Sequence, residues 1–200
     1  RGRIWVKTLY GLSLYDEANN HFFNYPAPPG ILSGLAGGKI TEDHRGRLWL
    51  GGYGEVIIFD PVTLKYEKSG WFQFAKETGI IQNDIRNNAV LEVMRKNEHE
   101  LYLLSVFGLF SVNTQTGKFL YHPNPYTEDS WAFYLCTIDK EGLLWIGTYD
   151  QCFYLYNPGT GQWQHKNCGN GNLQIVTDIV PLGKDSLLLL SEKKLVVFRP

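Results

Sequence analysis

The sequence predicts an all-β fold, a partial β-propeller of about four to five four-stranded blades with the ring incomplete in this chain. Three observations predict it. Short runs of branched and aromatic residues alternate with turn residues from end to end. The runs recur with a period near 43 residues, the length of a propeller blade. No long segment carries the 3.6-residue apolar spacing of an amphipathic helix. The pattern is clearest from Leu135 to His165. There Asp139 to Gly142 reads as a turn and Leu143-Leu-Trp145-Ile as a strand. Tyr149-Asp-Gln turns again, Cys152 to Tyr156 is a strand, and Asn157-Pro-Gly-Thr-Gly161 turns before Gln162-Trp163-Gln.

Aligning on the aromatic centre of the second run gives Trp5, Trp49, Tyr102, Trp145 and Leu188, spaced 44, 53, 43 and 43 residues apart. The first unit, residues 1–25, starts at a second strand, Gly2 to Val6, and continues through Gly11 to Asp16 and His21 to Tyr25. Pro26 to Gly37 connects it to the second unit, residues 37–68, with runs at Arg47 to Gly52, Glu55 to Asp60 and Lys65 to Lys68. Gly70 to Asp84 absorbs the extra residues of the longest gap, and Ala75-Lys-Glu-Thr78 reads as a helical turn within it. The third unit, 84–121, holds Asn88 to Met94, Glu100 to Ser105, Gly108 to Asn113 and Lys118 to Tyr121. The fourth spans 130–165. The fifth, 174–200, has Asp178 to Pro181, Ser186 to Leu190 and Leu195 to Phe198. Near-continuous apolar strands such as Leu187 to Leu190 fit sheets buried on both faces.

Asp43 with Gly46 and Asp139 with Gly142 close the first hairpins of the second and fourth units. The carboxylate accepts turn N–H groups, and glycine takes positive φ. Because each recurs as part of a turn, a catalytic or metal-binding role is the poorer reading.

On these residues the chain resembles a known family. Ile40-Thr-Glu-Asp-His-Arg-Gly-Arg-Leu-Trp-Leu-Gly51 and Ile138-Asp-Lys-Glu-Gly-Leu-Leu-Trp-Ile-Gly-Thr148 are similar to the two-component regulator propeller repeat, as are the tails Phe59 to Thr63 and Tyr156 to Gly161. Unit three departs, with Asn97-Glu-His-Glu100 where the Asp-x-x-Gly turn belongs, and in unit five Leu188 replaces the aromatic. The resemblance implies the periplasmic sensor region of a hybrid two-component histidine kinase of Bacteroidetes, responsive to oligosaccharides. It implies that the rest of the propeller, the membrane span and the kinase belong to the parent protein. No kinase motif or helix-turn-helix is present in these residues.

Composition bounds the alternatives. Apolar residues make up 44% of the chain, enough for a sizeable core, and the 14% of aromatics favours strands. Net charge is −1 with both signs interspersed, so no basic stripe exists to neutralise phosphates and nucleic acid is excluded as a partner. No run of about 18 apolar residues appears, so no membrane contact is expected. The chain opens on Arg1-Gly-Arg with neither initiator Met nor signal peptide, and reads as a mature or excised piece. It begins at a second strand and ends after a third, so open edges and self-association as a homodimer are expected. Cys136, Cys152 and Cys168 are too few for a disulfide framework and read as small buried residues; Cys152 with Cys168 is the pair to expect if one bridge forms.

Function falls on the turns between second and third strands. Tyr10, Tyr53, Phe107 and Tyr149 place an aromatic in four of them, and Ser191-Glu-Lys-Lys194 occupies the fifth. Aromatic faces with polar edges suit stacking on sugar rings; alternatively these side chains merely cover the blade ends. Trp71 and Trp131, in the connectors, join the candidate ligand-binding set, with inter-blade packing as their alternative. His44, His99 and His122 lie in turns and are expected to be solvated. No metal-ligand spacing, nucleophile elbow, P-loop or dinucleotide fingerprint appears, so no cofactor, metal or catalytic residue is assigned. The leading expectation is a ligand-sensing segment outside the cytoplasm, for an oligosaccharide. A protein-interaction scaffold is the alternative. A propeller lyase or hydrolase comes third, with Asp84, Asp129 and Asp178 as its few candidate acids.

Overall fold

Among the described residues, the predicted runs of branched and aromatic residues form strands, and the Asp- and Asn-led segments between them form turns. The computed structural model describes residues 3–30, 39–81, 88–126, 133–148, 153–166, 176–183, 186–191 and 194–199. The first sheet holds β1 (Ile4–Thr8), β2 (Gly11–Asp16) and β3 (His21–Pro26). The second holds β4 (Ile40–Glu42), β5 (Leu48–Leu50), β6 (Ile57–Asp60) and β7 (Lys65–Lys68). After helix α1 (Trp71–Glu77), the third sheet holds β8 (Val90–Arg95), β9 (Glu100–Ser105), β10 (Gly108–Asn113) and β11 (Phe119–His122). The fourth holds β12 (Phe133–Ile138), β13 (Leu144–Thr148), β14 (Phe153–Asn157) and β15 (Gln162–Lys166). The fifth holds β16 (Val176–Gly183), β17 (Ser186–Ser191) and β18 (Leu195–Phe198). Strands neighbour one another in chain order throughout, the meander of a propeller blade, so the chain is an all-β partial propeller. It divides into two units, residues 1–103 with 110–121, and residues 104–109 with 122–200.

Register bears out the repeat. Trp5 lies opposite Leu14, Trp49 opposite Ile58, Trp145 opposite Leu155 and Leu188 opposite Val197. Strand alternation then decides what each anchor touches. Trp5 meets Phe59 of the second sheet, ring centroids 5.6 Å apart. Trp49 joins the core shared with the third sheet, and Trp145 the core shared with the fifth. Each points toward the sheet that follows it. Leu188, in the last sheet, points away from the fourth sheet and is only half-buried, whereas its neighbours Leu187 and Leu189 are buried against it.

Sheet two shows why its strands read as continuous apolar runs. Ile57 and Phe59 pack with Leu12, Trp5 and Tyr25 of the first sheet. Ile58 and Trp49 pack with Val90, Leu101 and Phe110 of the third. Both faces are buried, so no polar face alternates with the apolar one.

The helix begins four residues earlier than the expected turn at Ala75. Gly70 adopts φ 85°, Ser69 Oγ accepts the Trp71 N–H, and Thr78 Oγ1 donates to the Phe74 and Ala75 carbonyls at the other end. Trp71 and Ala75, four apart and on one face, are buried. Trp71 meets Phe110 edge-on at 5.6 Å, and Phe74 stacks on Phe119 at 5.5 Å. Cys136 is buried; Cys152 and Cys168 lie outside the described residues.

Candidate functional site

The turns after the second strand of each blade position the candidate aromatics. In the first sheet Leu9-Tyr10 is the tip of a tight hairpin. Thr8 Oγ1 accepts the Tyr10 N–H at 3.2 Å and donates to the Gly11 carbonyl, and the Tyr10 carbonyl accepts the Ala27 N–H. Gly11 sits at φ 151°, and a Cβ there would lie 2.2 Å from the Tyr25 carbonyl oxygen, so only glycine lets the tip fold back this closely. Tyr10 is left 81% exposed. In the second sheet, Gly51 to Gly54 runs against residues 88–90. Val90 donates to the Gly52 carbonyl at 2.9 Å, Gly54 to the Asn88 carbonyl at 2.6 Å, and Tyr53 bridges to Ala89. Tyr53 is 39% exposed. Phe107, at the tip between β9 and β10 in the other unit, is 44% exposed, its N–H held by Ser105 Oγ.

Three of the four predicted tip aromatics are therefore presented to solvent. Tyr149 and Trp131 lie outside the described residues. Trp71 is corrected: it is fully buried in the core beneath α1, where packing against Phe110 occupies its ring. The reason is the helix, whose start turns Trp71 inward rather than out along the connector.

Between the Tyr10 and Tyr53 hairpins lie charged groups that sequence reasoning did not single out. Lys7, on the same sheet face as buried Leu12 and three residues before Tyr10, donates from Nζ to the Gly51 carbonyl at 3.2 Å. Glu92, whose side chain is nearly buried, lies 3.6 Å from Lys39 Nζ through Oε2. Burial lowers Lys7 to about 8, with the Glu92 charge acting the other way. The signal that could have found them is a lysine and a glutamate at alternating positions otherwise filled by core residues, in Trp5-Val-Lys7 and in Val90-Leu-Glu92-Val.

The other carboxylates are structural. Asp43 Oδ1 accepts the Arg45 and Arg47 N–H groups, and Oδ2 accepts Arg47 Nε and the Trp49 indole N–H, both at 2.9 Å. Burial pushes its pKa up, but these donors outweigh that and hold it below the usual value. Asp139 repeats the arrangement, accepting Glu141 N–H, Leu143 N–H and the Trp145 indole. Burial raises Glu55, which accepts the Val56 N–H and the Ser69 hydroxyl at the start of α1. Asp178 is exposed and accepts the N–H of Ile179; Asp84 and Asp129 lie outside the described residues.

The histidines differ from expectation. His44 and His99 are half-buried and meet edge-to-face at 4.7 Å, because the first turns of sheets two and three touch. Thr114 Oγ1 donates to the His99 carbonyl, which makes His44 Nδ1 the donor to that hydroxyl. His122 is also half-buried, its Nδ1 2.8 Å from the Tyr156 hydroxyl. Among the described residues no three His, Cys, Asp or Glu side chains group as metal ligands. Two hollows, of about 530 and 270 Å³, open beside Arg3. One is lined by Tyr15, Asp16 and Phe23, the other by Trp5, Arg45 and Val62. They lie at the opposite strand ends from Tyr10 and Tyr53 and include no predicted site residue.

Comparison with known proteins places the fold. No protein-family model matches the chain, and no curated protein matches it. Among solved structures it is similar to the extracellular domains of two B. thetaiotaomicron proteins assigned as hybrid two-component systems. One aligns at TM-score 0.67 and 18% identity over 100% of this chain, the other at 0.68 and 17% over 99%. It also aligns with a chain of the mitotic checkpoint complex at TM-score 0.63 and 14% identity over 94% of its length. Identities this low establish the fold they share. This chain spans about a quarter of the two bacterial chains, 26% and 28%, and 53% of the third. Among the described residues no helix is long and apolar enough to cross a membrane.

Proposed function

We propose that this chain is a ligand-sensing segment of a two-component receptor, located outside the cytoplasm and directed at an oligosaccharide. The observation that carries the ligand class is the exposure of Tyr10 and Tyr53 at two successive hairpin tips of one unit. Their rings are held on fixed turns, and their faces suit the C–H surface of a sugar ring. Support for the sensing role comes from the bacterial neighbours, which are extracellular domains of two-component systems. Signalling then follows population shift, with ligand favouring one arrangement of the receptor. No catalytic step is assigned to the segment.

Thermal shift against a panel of oligosaccharides tests the reading. A stabilising hit should be lost, with affinity falling at least tenfold, in Tyr10→Ala with Tyr53→Ala, while the unliganded melting temperature stays within about 2 °C, as for exposed side chains. Unchanged affinity in that variant removes both tyrosines from the site.

A scaffold role is the second reading, favoured by exposed apolar faces on the first and fifth sheets. Ile4, Val6 and Phe22 line one, and Val180, Leu190, Leu195 and Val197 the other. We assign these faces to further sheets of the same kind in a longer protein, since the bacterial neighbours run to nearly four times this length.

A further inference from the structure

We propose that the hollow beside Arg3 and Arg45, between the first and second sheets, is a second binding site, and that it takes one sugar unit bearing a carboxylate, a hexuronate. It lies at the opposite strand ends from Tyr10 and Tyr53, so it stands or falls apart from the stacking reading of those tyrosines. The hollow is lined by Arg3 and Trp5 on the first-sheet side and by Glu42, Arg45, Leu48 and Val62 on the second. Both sheets belong to one unit, and every lining residue is among the described ones.

Neither arginine is required by the fold. Arg3 stands two residues before the anchor Trp5, as Arg47 stands before Trp49. Arg47 is engaged by Asp43, Glu67 and the Thr114 carbonyl, whereas the Arg3 guanidinium makes no ion pair or hydrogen bond. Arg45 sits in the turn pinned by Asp43, which accepts its backbone N–H, and Gly46 supplies the positive φ. Glu141 holds the same place in the fourth sheet, so that turn does not need an arginine there. The Arg45 guanidinium is likewise without an ion pair or hydrogen bond. Two unengaged planar forks on one small hollow match a carboxylate. Trp5 and Leu48 add the apolar surface that a sugar ring covers. The Glu42 carboxylate stands beside Gly46, and with about four lone-pair sites it accepts ring hydroxyls alongside the bonds it already makes. At about 270 Å³ the hollow falls just below the ~300–1,000 Å³ of sites for drug-sized ligands, so it admits one ring and not a chain segment. A free hexuronate and the end unit of an acidic oligosaccharide share this chemistry.

Calorimetric titration of the whole chain at neutral pH tests the site. The probes are galacturonate, glucuronate, methyl galacturonate ester, galactose, trigalacturonate and inorganic sulfate. The variants are Arg3→Gln, Arg45→Gln, and Tyr10→Ala with Tyr53→Ala. Both arginines are exposed, so their variants should fold. The expected result is a free uronate bound at least tenfold more tightly than the ester or galactose, which lack the charge. Either arginine variant should weaken it at least tenfold, and the tyrosine variant should leave it unchanged. Trigalacturonate bound as tightly as galacturonate identifies the ligand as a chain end, and weaker binding identifies it as the free monosaccharide; both support the site. Sulfate bound as tightly as the uronates overturns the sugar assignment. A uronate that ignores both arginines or is lost in the tyrosine variant, or no binding of either uronate, overturns the site.

Discussion

Asp43 shows how much one side chain fixes at the residue scale. Its two oxygens accept backbone donors of the turn, the Arg47 guanidinium and the Trp49 indole, so turn, strand and core are tied to a single buried carboxylate. Asp139 does the same for Trp145, but Leu143 stands where Arg47 would. Asp43→Ala should cost about 3 kcal/mol, because it leaves the buried Trp49 indole N–H unpaired and takes from Arg47 its closest carboxylate, leaving Glu67 and the Thr114 carbonyl as its partners. Asp139→Ala, which strands no charge, should cost about 1–2 kcal/mol. Urea denaturation of the two variants checks the order. The pH dependence has a definite sign. Asp43 is depressed in the folded chain, so its contribution is complete above the ordinary value of 3.8 and fades as pH falls through the lower folded value. Acid unfolding should accordingly move to higher pH in Asp43→Ala. Asp43 and Asp139 were legible as turn residues from their glycines three positions on. The bond to the indole six positions on was legible only as a spacing shared by both repeats. Lys7 and Glu92 were marked only as charges at otherwise apolar alternating positions, and the His44–His99 contact was not legible, because it depends on which sheets become neighbours.

At the scale of the element, the turns between third and fourth strands of the second, third and fourth blades repeat one device. Asp60, Asn113 and Asn157 each accept the N–H groups two and three residues ahead. The carbonyl of each also accepts an N–H four ahead, from Leu64, Gly117 and Gly161, all at positive φ. Glycine enters that conformation freely, whereas a leucine there costs about 1 kcal/mol. Leu64 is exposed at φ 58° and belongs to none of the core clusters. Leu64→Gly should therefore raise the melting temperature, by about 2 °C after allowing for the greater freedom glycine gives the unfolded chain. A lower melting temperature would show that the turn holds its shape differently. The strands themselves were readable because both-sided burial demands uninterrupted apolar runs. Helix α1 was read as a single turn, since its apolar residues Trp71, Phe74 and Ala75 sit among glycines and a serine that look like a connector.

For the whole molecule, the consequence is exposed sheet surface. One unit leaves Ile4, Val6 and Phe22 of its first sheet in water, and the other leaves Leu195 and Val197 of its last. Contiguous apolar surface of this kind associates unless covered. Sedimentation velocity should show concentration-dependent self-association of this chain, reduced in Leu195→Lys with Val197→Lys. The melting temperature of that variant should be nearly unchanged, since both side chains are exposed. A chain that stays monomeric at 100 µM before substitution would mean these faces do not attract their own kind. The direction of the anchors accounts for the pattern: an indole that reaches for the next sheet finds one in the second and fourth blades, and Leu188 finds none.

The carboxylate-bonded indoles also provide an optical label in each half of the protein. Trp49 and Trp145 are both buried, and both donate to an aspartate, yet they belong to different units. An indole held by a fixed anion fluoresces at a wavelength set by that charge, and shifts when the hairpin opens. The chain holds six tryptophans, so keeping Trp49 alone or Trp145 alone, with the other five replaced by phenylalanine, makes each a reporter of its own unit, and the two can be followed separately as they lose structure.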